Sequence, residues 1–304
     1  MKADYLKGCG LAFGAAMLWG VSGTAGQFLF AHRGVNTEWL VAVRMLSAGV
    51  LMLGFVGLRA PRDLFTVWTQ GQDALRMIVF GLFGMLAVQY TYFAAINASN
   101  AATATVIQYT GPVLIVGWFA LQKKRWPTPF ELLCVVMAIA GTFFMVTHGS
   151  LSSLSISPMA LVWGLSSAAA LAFYSIQPLT LMSRYSSPIV IGWGMLIGGL
   201  ALGFVHAPWA VEGVWDAPAI GAFAFIIVFG TLIPFYAYLT AVRIVGPETS
   251  SLLACAEPLA SAILAMAWLG TRFGMYDWLG TALILATVIT LSLRKQEPVP
   301  VKIE

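Results

Sequence analysis

One carboxylate stands inside a long apolar run. It is Glu257 in "LLACAEPLASAIL" (252–264), and Pro258 follows it directly. A carboxylate in that setting has three uses. It accepts hydrogen bonds from a helix end that the proline has broken, it binds the amino group of a cargo molecule, or it carries a coupling proton. Arg44, in "VAVRMLSAGVLML", is the other charge well inside an apolar run. At a span centre each charge costs about 2.5–3.5 kcal/mol on insertion scales, so both are expected to face the protein interior or water. Arg44 falls near the outer third of its run. Its readings are snorkelling, bonding to loop carbonyls, or a pair with Glu257.

The elements that position these charges follow from composition. The 304 residues are 60% hydrophobic and 9% charged, with a mean hydropathy of +0.86. Soluble domains carry about 25% charged residues. A helical span needs roughly 20 apolar residues. Apolar runs fall at 8–30, 37–58, 74–97, 100–121, 129–147, 158–180, 188–207, 218–242, 247–270 and 275–293. The predicted fold is all-α integral membrane, with ten transmembrane helices. The first run is too long for a signal peptide and is expected to stay as span 1. "TPFE" at 128–131, "SP" at 157–158 and 187–188, and "GPE" at 246–248 carry helix-start chemistry. Thirteen Lys and Arg side chains fall on the side of the N-terminus and two, Arg33 and Arg272, on the other. This bias places both termini of a multi-pass protein in the cytoplasm; the expected location is a bacterial-type plasma (inner) membrane. Tryptophans near span ends, such as Trp39, Trp126, Trp209 and Trp278, read as interfacial anchors.

The two halves align without a gap at a shift of 146: Tyr90 meets Tyr236, Tyr92 meets Tyr238, Thr103 meets Thr249, and Pro112 meets Pro258. Glu131 likewise meets Asp277. The expected units are 1–148 (spans 1–5) and 149–304 (spans 6–10), within one membrane domain. Five spans per repeat turn the second half upside down, the inverted-repeat design of many secondary transporters. Each proline removes a backbone donor, freeing the carbonyls of Gln108 and Ala254. Those carbonyls need partners, so the breaks should face protein or a watery cavity. Gly111, Pro112 and Pro258 are the candidate kink and gating positions; a plain packing kink is the competing reading.

On these features the chain resembles the drug/metabolite transporter superfamily, EamA type. The resemblance rests on the ten runs, "MLWG" at 17–20, Arg44, the paired prolines and "GPETSSLLACAEPLASAILAMAWLG" (246–270). It implies an exporter working by alternating access. The composition is also similar to amino-acid exporters, including the aromatic amino-acid exporter branch. The family often has Gly-Glu after spans 4 and 9. Here those places read "QKKR" (122–125) and "GTR" (270–272), so that glutamate's role does not carry over.

Candidate cavity residues are Trp19, Tyr90, Gln108, Tyr109, Trp163, Tyr174, Gln177 and Glu257. Trp163, Ser167, Ala170, Tyr174 and Gln177 share one helical face. Aromatic rings stack on a cargo side chain, and their polar tips hold its head group. Interhelical packing is the competing use of each. One deep arginine is too few for a phosphorylated cargo, so a neutral, zwitterionic or apolar metabolite fits best. The expected function is export of amino acids, aromatic and other neutral ones included. The alternative is a multidrug exporter that exchanges lipophilic cations for protons at Glu257. An intramembrane enzyme finds no support in His32, His148 and His206, which lie near outer span ends without an acid–base cluster. A channel finds no filter or charged ring. Cys9, Cys134 and Cys255 lack metal spacing and read as small core residues. The expected partners are a small-molecule cargo and the lipid bilayer, with no nucleic acid, obligatory protein partner, metal or cofactor.

Overall fold

The computed structural model describes residues 2–99, 101–122, 124, 126–147, 157–257, 260, 264 and 274–293. Among the described residues the regular structure is entirely helical. Span 1 is α1 (Lys2–Arg33) and span 2 is α2 (Thr37–Arg59). Span 3 runs as α3 (Gly71–Val79), a π-helical segment Phe80–Leu86, and α4 (Ala87–Ala98). Span 4 is α5 (Ala101–Gln108) and α6 (Gly111–Gln122), and span 5 is α7 (Pro129–Thr147). Span 6 is α8 (Pro158–Ile176) with a short α9 (Leu179–Arg184), and span 7 is α10 (Ser187–Gly203). Span 8 repeats the pattern of span 3: α11 (Ala217–Ile227), a π segment Val228–Leu232, and α12 (Ile233–Val245). Span 9 starts as α13 (Pro247–Leu253) and tightens to a 3-10 turn over Ala254–Ala256. Span 10 is α14 (Met275–Leu293).

Local chemistry sets the ends. Ser157 accepts the Ala160 amide at 3.1 Å with Pro158 at the first helical position, as "SP" predicts. Asn36 and Asp216 cap α2 and α11 in the same way, at 2.9 Å and 3.0 Å. At the second "SP" the helix begins one residue early. Ser187 is already helical, and Ser186 holds the cap position without a side-chain bond. Gly246, at φ 84°, turns the chain from span 8 into span 9 in a conformation that only glycine adopts cheaply.

The packing is two-fold. α1 packs on α12, α4 on α8, α2 on α10 and α7 on α14. In spans these are 1 on 8, 3 on 6, 2 on 7 and 5 on 10. The shift of 146 turns the first pair into the second and each of the others into itself. That is the pattern of two inverted five-helix repeats. Loops are pinned from both halves. Trp39 of span 2 donates its indole N–H to the Pro208 carbonyl at 2.9 Å, and Trp193 of span 7 donates to the Leu64 carbonyl at 2.9 Å. Trp39 is therefore turned inward, unlike Trp126 and Trp209, which are exposed.

Large apolar side chains such as Leu58, Leu121 and Phe204 point outward, as a lipid-facing belt requires. Cys9, Cys134 and Cys255 are buried thiols. Among the described residues, five helices are long and apolar enough to cross a bilayer, and α10 is a shorter apolar one. Spans 2 and 7 meet backbone to backbone through small residues, the usual way membrane helices come close. A Cβ on Gly49 would lie 2.9 Å from the Leu196 amide nitrogen, and one on Gly199 would lie 2.9 Å from that of Leu46. A Cβ on Gly54, in the same helix, meets nothing within 4 Å. Gly49→Ala is therefore expected to destabilise the protein by about 1–3 kcal/mol through overpacking. Gly54→Ala should stay within about 0.5 kcal/mol of the parent. Thermal unfolding of the two variants in one detergent checks the contrast.

Candidate functional site

Glu257 sits where span 9 loses its regular helix. The Ala254 carbonyl accepts the Glu257 amide in the 3-10 turn. It also accepts a hydrogen bond from the Tyr109 hydroxyl of span 4. Pro258 has no amide hydrogen to offer that carbonyl, so the partner comes from the other repeat. The same Tyr109 hydroxyl lies 3.3 Å from one Glu257 oxygen, and the Tyr92 hydroxyl donates to the other at 2.6 Å. Thr105 stands behind Tyr92 at 3.0 Å. Tyr109 itself falls in the break of span 4, between α5 and α6. The two breaks thus meet, the Tyr109 hydroxyl at the first bonding the carbonyl freed at the second, with a carboxylate at the junction.

The junction forms one wall of a central cavity. Spans 1, 2, 3, 4, 6, 8 and 9 contribute to it. Arg44 faces it from span 2, donating through Nε and Nη2 to the Gln89 amide oxygen and lying 4.2 Å over the Phe93 ring. Sequence reading expected loop carbonyls or Glu257 as its partner. The structure gives it an amide and a ring instead, because Gln89 and Phe93 share the cavity face of span 3. Arg44 and Glu257 line the same cavity with no ion pair between them. An aromatic group floors the chamber: Trp19 packs on Phe235 and Tyr238 at 5.1 Å each, and Tyr174 stacks on Tyr238 at 5.8 Å.

The polar atoms are unevenly satisfied. Buried atoms without a hydrogen-bond partner include Trp19 Nε1, Ser22 Oγ, Arg44 Nη1, Gln89 Nε2 and the Tyr174 hydroxyl. All five belong to side chains lining the cavity. Buried polar groups are normally paired, so these positions are open to a bound molecule or to water. Most of these atoms are donors, whereas Glu257 is an acceptor.

Of the residues singled out from the sequence, Trp19, Arg44, Gln108, Tyr109, Tyr174 and Glu257 meet at the cavity. Gln108 is held by Ser167, its amide donating at 2.7 Å. Tyr90, Trp163 and Gln177 lie elsewhere. Tyr90 donates to Glu38 at 2.9 Å and meets Trp163 edge-on at 5.4 Å. Gln177 donates to the Arg76 carbonyl at 2.9 Å, beyond the end of α8. The reason is helical phase. Gln89, Tyr92 and Phe93 are spaced for one face of α4, and Tyr90 is rotated off it. Trp163 is eleven residues from Tyr174, roughly 16 Å along the helix. Gly111 packs against span 6, where an added Cβ would lie 3.1 Å from the Ala168 carbonyl. Only the backbone of Pro112 is described, and Pro258 and the side chains of Glu131 and Asp277 lie outside the described residues. Tyr92 and Phe235 were missed as lining residues. The equal spacing of Tyr92 and Tyr238 in the repeat was the available signal for Tyr92.

Comparison with known proteins agrees with this architecture. The chain is 40% identical over 279 residues to the uncharacterized inner membrane transporter YicL of Salmonella typhimurium, covering 92% of this chain and 93% of that protein. It is 23% identical over 271 residues to the threonine/homoserine exporter RhtA of Escherichia coli, covering 87% and 85%. A solved crystal structure superposes with a TM-score of 0.73 over 93% of this chain and 95% of the other, at 18% identity, which speaks for the fold alone. Residues 6–147 and 158–293 each match the EamA-like transporter family. The chain belongs to that family and is a multi-pass membrane transporter.

Proposed function

We propose that this transporter exports amino acids, neutral and aromatic ones included, by alternating access through the central cavity. The observation that carries the proposal is the pair of unlike charges in one chamber, Arg44 and Glu257, each bonded to neutral groups and not to the other. A zwitterion answers both. Its carboxylate suits the unpartnered Arg44 Nη1 and Gln89 Nε2, and its ammonium suits Glu257. Its side chain then lies against Trp19, Phe235 and Tyr174. Repeats 1–148 and 149–304 rock about the cavity, with the basic face and both termini in the cytoplasm. The name of RhtA, a distant relative, supports an amino-acid cargo, and the name of YicL supports an inner-membrane location. A lipophilic cation exchanged for protons at Glu257 is less well served, because Arg44 would repel it inside the same chamber.

Counterflow in proteoliposomes is expected for at least one of labelled Phe, Thr or Met. Uptake of a lipophilic cation with no amino-acid exchange would reverse the assignment. Arg44→Gln and Glu257→Gln should each weaken amino-acid affinity about tenfold or more, since each removes a charge-assisted hydrogen bond worth about 1.5–3 kcal/mol. The chemistry of the loss should differ. An analogue lacking the amino group should bind the parent poorly, and Glu257→Gln should erase that difference while Arg44→Gln keeps it. Competition binding with the amino acid and its analogue lacking the amino group measures this.

A further inference from the structure

Two ion pairs sit on opposite faces of the protein and obey its two-fold symmetry. Arg33, the last residue of α1, grips Asp216 through Nε at 3.1 Å and Nη2 at 2.9 Å. Asp216 is the cap of α11, the half of span 8 that precedes its π segment. On the other face, Asp73 lies in the first turn of α3, the half of span 3 that precedes its own π segment. Asp73 accepts from Arg184 at 3.1 Å, from Tyr185 at 2.8 Å and from Arg76 at 3.3 Å. The shift of 146 brings Asp73 within three residues of Asp216 and Arg33 within five of Arg184. Each pair therefore ties the outer half of a span split by a π segment in one repeat to the end of another span in the other.

The splits match as well. The π segments Phe80–Leu86 and Val228–Leu232 overlap under the same shift. Residues next to or within them, Val88 and Gly230, line the cavity. Helices bend where the ladder widens to π geometry, and such segments collect at functional positions. Pro234 adds to this in span 8, since it cannot donate to the Gly230 carbonyl.

We propose that the two ion pairs are the alternating gates of the cavity, each fastening a half-helix that swings at its π segment. Opening away from the N-terminal face breaks Arg33–Asp216. Opening toward that face breaks Asp73–Arg184. The two are not broken together. The gates differ in burial: the Asp73 side chain is 0% exposed, and that of Asp216 is 41% exposed. The Arg33 guanidinium nevertheless holds the Asp216 carboxyl below the usual carboxylate range. An exposed pair is worth less than a well-bonded buried one is costly to break, so the Arg33 gate is the easier to open. This proposal rests on the reading of the cavity as the cargo chamber.

The test places a reporter in the chamber, Ser22→Cys, and labels it with a membrane-impermeant maleimide from either face, in right-side-out and inside-out vesicles. Labelling of Cys9, Cys134 and Cys255 in the parent is subtracted. Asp216→Asn is expected to raise labelling from the face opposite the N-terminus about tenfold and to lower it from the N-terminal face. Arg184→Gln, combined with Tyr185→Phe, is expected to do the reverse while leaving Asp73 its Arg76 partner. Shifts toward the same face in both variants, or no shift in either while both remain monodisperse, overturn the gates. Restoration of the parent pattern by Arg33→Asp with Asp216→Arg supports them. Side-switching in a chain that exchanges no amino acid keeps the gates and removes the cargo assignment. Counterflow without any side-switching removes the gates alone.

Discussion

The Ala254 carbonyl is the constraint on which the site turns. Pro258 denies it the ordinary helical donor and leaves it, within its own span, only the Glu257 amide of the 3-10 turn. The Tyr109 hydroxyl adds a donor from the opposite repeat, and the same hydroxyl reaches Glu257. One polar contact thus closes a backbone defect, holds two broken spans together and orients the carboxylate. The cavity lies where the spans are broken, and the break in span 9 takes its extra hydrogen bond from span 4.

The scaffold is two-fold but its chemistry is not. The shift of 146 carries Glu257 onto Gly111 and Arg44 onto Val190. Symmetry sets the pairing of spans and the matched π segments. The charges at the centre break it. A cargo with two unlike ends is the natural occupant of such a chamber, and the proposed amino-acid head group has that form.

Much of the fold was legible in the sequence because its signals are local. Long apolar runs, the Ser157–Pro158 helix start and the equal spacing of Pro112 and Pro258 announce spans, ends and repeats. The demand of the Ala254 carbonyl for a partner was legible too, although Tyr109 as that partner was not. Contacts between residues far apart in the chain leave no local trace, and the Arg44–Gln89 bond is of that kind. The misplacement of Tyr90 was a matter of phase, since a widened ladder lies just before it. The π segments were invisible, because Gly81, Gly84 and Gly230 are ordinary residues of membrane helices.

Hydrogen–deuterium exchange of Tyr109→Phe against the parent tests whether the two breaks depend on each other. Removing the hydroxyl leaves the Ala254 carbonyl with the 3-10 amide alone, the loss of one net hydrogen bond at a cost of about 0.5–1.5 kcal/mol. Exchange over residues 252–257 should then quicken by about two- to tenfold, while spans 2 and 7 keep their protection. Unchanged exchange at 252–257 would mean that the junction holds without its cross-repeat bond, and the breaks would be independent kinks.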